Sequence, residues 1–120
     1  MLTVLNIAEQ EPFTTKDGST ISSILDAANA PVQHQSLAEA SLTEEGSATE
    51  AHYHLLSEEF YLILEGSAEM ALDGETRVVG PGDAILIPPG AWHSITSKSR
   101  SLRFLCCCSP PYSHQDTYFE

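Results

Sequence analysis

The stretch GSATEAHYHLLSEEFYLILEG, residues 46–66, decides how this chain is read. It opens in a turn, because residues 43–48 set Gly46 among small and polar neighbours. His52 and His54 then stand two apart, a spacing that puts both imidazoles on one face of a strand. Glu59 follows five residues later, at the head of an aromatic and aliphatic run over residues 60–64 that ends at Glu65-Gly66. That run has strand character. Counting by two from Glu59 gives Tyr61 and Ile63, which share its inward face, and leaves Glu58, Phe60 and Leu62 facing out.

Strands and turns continue on both sides. Downstream, Ala68, Met70 and Leu72 alternate with Ser67, Glu69 and Ala71, and Asp73-Gly74 is a favoured pair for a tight hairpin turn. Residues 76–79 return from it. Gly80-Pro81-Gly82 makes another turn, residues 84–87 form a short apolar run, and Pro88-Pro89-Gly90 closes that run. Residues 102–108 are the last strong strand, and residues 35–42 are a weaker one upstream. Many short strands with Gly and Pro at the breaks predict an all-β antiparallel sandwich or barrel. Residues 1–31 read as an N-terminal segment with a turn over 14–18 and then a short helix. In that helix Ser19 is the cap, Ile21, Ile24 and Leu25 have helical spacing, and Pro31 ends it. Residues 32–112 form the barrel domain, and 113–120 a polar surface tail.

The chain has 120 residues, enough for one hydrophobic core. Its net charge is −12, and its only cations besides the N-terminus are Lys16, Arg77, Lys98, Arg100 and Arg103. Nucleic acids and anionic membranes are bound through Lys and Arg, so neither is an expected partner. No apolar stretch approaches the length of a membrane span, and residues 1–10 hold no basic residue before their apolar ones. A cytoplasmic location is the default expectation. The three cysteines, Cys106, Cys107 and Cys108, are consecutive, and neighbours on a strand point to opposite faces. A disulfide between them is sterically unfavourable, which fits a reducing compartment.

His52, His54 and Glu59 are joined by His93, which follows the Pro88-Pro89-Gly90 turn. Imidazole nitrogens with one carboxylate suit Zn, Fe, Ni, Cu or Mn, and the set lacks the sulfur of a structural zinc site. Taken alone, an H-x-H pair also occurs as surface decoration, and Glu58 and Glu59 as solvated charge. A metal requires that the fold bring His93 beside His52 and His54.

The spacing resembles the cupin superfamily. Its first motif, G-x5-H-x-H-x4-E-x6-G, is matched by Gly46, His52, His54, Glu59 and Gly66. Its second, G-x5-P-x-G-x2-H-x3-N, is matched by Gly82, Pro88, Gly90 and His93, with Ser97 in place of the final Asn. The resemblance implies a double-stranded β-helix, the jelly-roll barrel. It also implies one divalent metal ion (Fe, Mn, Zn, Ni or Cu) on His52, His54, Glu59 and His93, and a homodimer. Apolar residues on both faces of residues 60–64 and 102–108 add a reason for pairing, since one face of each needs a cover.

Four ligands on a six-coordinate ion leave two positions for a bidentate substrate, water or O2. The expected function is therefore a metalloenzyme acting on a small organic molecule, with oxygenase-type chemistry favoured. Glu59 is expected to double as a base, and Tyr61 to orient substrate. Metal-dependent isomerase, epimerase or lyase chemistry is the alternative, as is a non-catalytic ligand-binding module. A phosphate ester is disfavoured because few cations lie near the motifs. Tyr61, Ile63, Met70 and Phe104 are either cavity lining or plain barrel core.

Overall fold

The computed structural model describes residues 1–119. Eleven strands run β1 (Phe13–Thr14), β2 (Thr20–Leu25), β3 (Ser36–Leu42), β4 (His52–His54), β5 (Glu58–Glu65), β6 (Ala68–Leu72), β7 (Glu75–Val79), β8 (Ala84–Ile87), β9 (His93–Ser97), β10 (Leu102–Ser109) and β11 (Thr117–Phe119). They form two antiparallel sheets, ordered β1-β2-β3-β10-β5-β8 and β11-β4-β9-β6-β7. This is the all-β jelly-roll barrel expected from the sequence.

Alternation sets the two faces. Along β5, Glu59, Tyr61 and Ile63 are buried while Glu58, Phe60, Leu62 and Leu64 are exposed, as the count by two predicts. The inward residues of β5 meet Ala40, Leu42, Leu102, Phe104, Ala68, Met70, Val79, Ile87, Ala91 and Ile95 in one core between the sheets. Asp73 and Gly74 both take positive φ, at 46° and 86°, which is the backbone of a tight two-residue hairpin turn between β6 and β7.

The helix expected after Ser19 is not present. Residues Thr20–Leu25 are strand β2, paired with β3 through Ile21↔Ala40 and Ser23↔Ala38. The pairing register slips by one between Ser23 and Leu25, so Leu25 stands opposite Leu37. A bulge of this kind breaks strict alternation and leaves apolar residues at 21, 24 and 25, the spacing that mimics a helix. The open edge of β3 supplies the hydrogen bonds that decide the matter. Ser19 is no helix cap either: its N–H and Oγ–H both donate to Asp17 Oδ1, at 2.9 and 2.7 Å. Among the described residues the only helical pieces are single 3₁₀ turns at Ile7–Glu9 and His114–Asp116.

Both ends of the chain join the sheets. Through β1 and β2 the N-terminal segment extends the sheet that holds β3. Residues 113–119, read as a surface tail, form a turn and then β11, which pairs with β4 in the register Thr117↔His54 and Phe119↔His52. No helix among the described residues is long and apolar enough to cross a membrane.

Candidate metal centre

The two histidine-bearing segments meet because the chain before β4 folds onto β9. Gly46 N–H donates to Ser97 O at 2.8 Å, Thr49 N–H to Ile95 O at 3.0 Å, and His52 stands directly opposite His93 in the ladder. Gly90 N–H donates to His54 O at 2.7 Å, which fastens the Pro88-Pro89-Gly90 turn to β4. Ser97, standing where the motif has Asn, is buried and donates through Oγ to Ser99 O at 2.6 Å. His52, His54 and His93 are all buried, with ligand atoms within 4.8 Å of one another.

Each imidazole is oriented through its outer nitrogen. Nδ1 lies 2.8 Å from Glu50 O in His52, 3.2 Å from Asp116 O in His54 and 3.0 Å from Ala91 O in His93. A carbonyl only accepts, so in each ring Nδ1 carries the proton and the neutral ring offers its Nε2 lone pair. Glu59 Oε1 lies 3.4 Å from Nε2 of both His54 and His93. Its other oxygen, Oε2, accepts from the Cys108 thiol at 3.2 Å.

These groups suit a cation. Glu59 Oε1 and His93 Nε2 are buried with no hydrogen-bond partner. Unpaired buried polar atoms are costly, and native structures normally satisfy them. Two donors about 2.1 Å from a shared ion lie about 3.0 Å apart at a right angle and about 3.4 Å apart at the tetrahedral angle. The two 3.4 Å separations fall in that range and lie beyond an ordinary hydrogen bond. Three imidazoles thus converge on one point and could hold a metal ion, with Glu59 beside two of them.

Electrostatics follow from burial and proximity. Burial would raise the Glu59 carboxyl, but contact with His54 and His93 and their charge overcome it and hold it at about 2. Burial likewise opposes a charged His54, yet contact with Glu59, its charge and the Asp116 carbonyl raise that imidazole above its usual value. Burial, helped by His93, lowers His52. Burial lifts the Tyr61 phenol well above its usual range, so this hydroxyl is a hydrogen-bond donor and not a base.

A pH prediction follows. Protons compete with the ion for the imidazoles, and the raised His54 takes its proton first, above the usual histidine range near 6.5. Zn(II) affinity should fall by about tenfold per pH unit as one proton is displaced, and more steeply once His52 also titrates. Competition against a chelator between pH 8 and pH 5 measures it, and a flat profile would contradict histidine ligation.

The barrel interior beside the cluster is a cavity of about 70 Å³. Tyr61, Ile63, Met70 and Phe104 all belong to the barrel core, and of these Tyr61 and Phe104 also line the cavity. Cys106 and Cys108 face it from β10. Three participants were not legible as such in the sequence. Asp17 reaches the cavity from the turn before β2, with Oδ2 3.9 Å from His52 Nε2. Asp116 is buried in the C-terminal turn, where its carboxylate accepts the N–H groups of Leu55, Leu56 and Ser57 at 3.1 Å while its carbonyl orients His54. Cys108 holds the outer oxygen of Glu59. Each depends on strand pairing far from the motifs, and no local pattern announces it.

Comparison with known proteins agrees with this architecture. A profile described as "Cupin domain" matches residues 41–108. An uncharacterized protein of Methanocaldococcus jannaschii is 47% identical over 108 residues, covering 89% of this chain and 86% of that protein. A predicted oxalate decarboxylase from Thermotoga maritima superposes with a TM-score of 0.77 at 22% identity, over 89% of this chain and 98% of that one. The polyketide cyclase RemF from Streptomyces resistomycificus gives 0.77 at 25% identity, over 97% and 89%. The profile spans more than half of the chain and takes in both histidine-bearing segments, and on that ground this chain belongs to the cupin domain family.

Proposed function

We propose that this protein is a mononuclear metal-dependent enzyme acting on a small, partly apolar organic molecule, with His52, His54, His93 and Glu59 as the metal ligands. The observation that carries this reading is the pair of buried, unpartnered atoms, Glu59 Oε1 and His93 Nε2, 3.4 Å apart, with Glu59 on the wall of a cavity. A bound divalent ion would supply Lewis acidity and, as Fe(II), oxygen chemistry. The chain's own residues do the rest. Phe104 and Ile21 exclude water on the apolar side, and the Tyr61 hydroxyl donates to a substrate oxygen. A carboxyl held near 2 is a weak proton acceptor, so Glu59 serves as a ligand better than as a base.

Size limits the substrate. A cavity of about 70 Å³ suits a small molecule and not a polymer. Oxygen-dependent turnover remains the favoured chemistry, since the lining is largely apolar and no Lys or Arg contributes to it. The second reading, Lewis-acid chemistry without oxygen, is favoured by the likeness to a polyketide cyclase. Protein purified without a metal-affinity tag should carry one metal per chain by elemental analysis. Fe(II)-loaded protein, given a panel of small phenols, thiols and diketones, should take up oxygen in a way that depends on His93. Equal turnover under strict anaerobiosis would replace the oxygenase reading with the Lewis-acid one.

The proposed assembly is a homodimer. Phe60, Leu62 and Leu64 on β5 and Leu86 on the neighbouring edge strand β8 lie exposed on one sheet face, and a second copy would cover them. Sedimentation at high protein concentration that showed only monomer would rule this out.

A further inference from the structure

Among the described residues, the charged side chains lining the cavity are Asp17, Asp26 and Glu59, all acidic. None of the five Lys and Arg side chains lines it, and Arg103 is engaged at the surface with Glu39 at 2.8 Å. The three carboxylates are distinguished by what lies beside them. Asp26 Oδ1 accepts the N–H groups of Ala28 and Asn29 in its own turn, at 2.9 and 3.1 Å. Glu59 is divided between the histidines and Cys108.

Asp17 differs. Its Oδ1 is fixed by three donors, Thr15 Oγ1 at 2.5 Å, Ser19 N at 2.9 Å and Ser19 Oγ at 2.7 Å. Its Oδ2 has no hydrogen-bond partner among the described residues and lies 3.9 Å from His52 Nε2. The carboxylate is therefore rigidly mounted with one oxygen free beside the histidine cluster. The wall next to it is built of small side chains, Ser19, Ser23, Ala38 and Ala40, which leave the space a ligand would fill.

We propose that Asp17 is the substrate-facing carboxylate of this cavity, selecting small neutral or cationic molecules that present an O–H, S–H or N–H donor and repelling anions. The inference rests on the metal-site reading and deepens it by naming the class of substrate. A donor placed between the histidine cluster and Oδ2 gains a hydrogen bond to a charged acceptor, which is stronger than a neutral one. An anion in the same place meets a negative charge a few ångströms away in a partly buried site, where repulsion is poorly screened.

The test uses the full chain loaded with Co(II), as wild type and as Asp17→Asn. The asparagine keeps an Oδ1 acceptor for Thr15 and Ser19, so the turn is retained. Both proteins are titrated with azide, an anion, and with hydroxylamine, a neutral donor, and the cobalt absorption bands are followed. Asp17→Asn should bind azide at least about tenfold more tightly than wild type. It should bind hydroxylamine several-fold more weakly, with cobalt stoichiometry unchanged. Opposite shifts for the two probes are a signature that a merely structural role would not produce. Equal azide affinity in the two cobalt-loaded proteins, or shifts of the same sign for both probes, would overturn the role of Asp17 alone. Failure of wild type to take up cobalt would overturn the metal-site reading and this inference with it.

Discussion

A His52→Ala, His54→Ala double variant is expected to hold no metal after gel filtration, while wild type keeps one equivalent. The two imidazoles sit on one face of β4, and their outer nitrogens are held by Glu50 O and Asp116 O. Removing both leaves His93 and Glu59, two groups where a stable site needs at least three. Losing a single outer-shell partner of a metal ligand typically costs about 10–100-fold in affinity, so losing two direct ligands should cost beyond about 10⁴-fold. Elemental analysis and a competitive chelator titration read the result. The fold should survive, because the core of Tyr61, Ile63, Ile95 and Phe104 is untouched, and an unchanged far-UV spectrum would show it. A double variant that retained a full equivalent would end the metal assignment.

Gly66→Ala is expected to be among the most destabilising single changes in the chain. Gly66 follows directly on β5 with φ at +85°, a region L side chains rarely adopt. A Cβ there would come within 3 Å of the backbone oxygen of Ser101, at 2.1 Å, and of Ser99 Oγ, at 2.5 Å. Ser101 O belongs to the connection between β9 and β10, so relief would require moving backbone beside the central strand β10. The expected loss is about 3 kcal/mol or more, combining backbone strain with overpacking. For a domain of this size that corresponds to a fall in Tm of about 10 °C or more. Gly74→Ala is the control: its φ is +86°, but a Cβ there meets nothing within 4 Å. That change should cost only the left-handed strain, about 1–2 kcal/mol. Denaturant titrations of the two variants should separate them, and equal losses would show that the contact at Ser101 is not what demands glycine.

The Gly66 contrast explains why one motif glycine has a packing reason that another turn glycine lacks. Both Gly66 and Gly74 read as turn residues in the sequence, and only the approach of Ser101 distinguishes them. The segment at residues 20–25 shows the opposite failure. Its apolar residues fit a helix by spacing, and a bulge opposite β3 produced that spacing in a strand. A periodicity argument cannot see a bulge, because the extra residue is placed by the partner strand.

What the sequence determined by itself was local. Two-residue alternation put His52 with His54 and Glu59 with Tyr61, and the Gly and Pro turns marked where strands had to end. The short-range character of strand geometry and turn chemistry makes such features readable one segment at a time. What only the tertiary structure decided was everything that needs two distant segments to meet. Pairing of β2 with β3 brings the Asp17 turn, 35 residues before His52, to the cavity wall. Pairing of β11 with β4 turns residues 113–119 into the support of His54 through the Asp116 carbonyl. The size of the cavity is decided in the same way, by small residues of β2 and β3 that lie beside Phe104 and Tyr61 on the inner face of one sheet. Hydrogen bonds between strands fix which residues face each other, and they form only when the whole barrel closes.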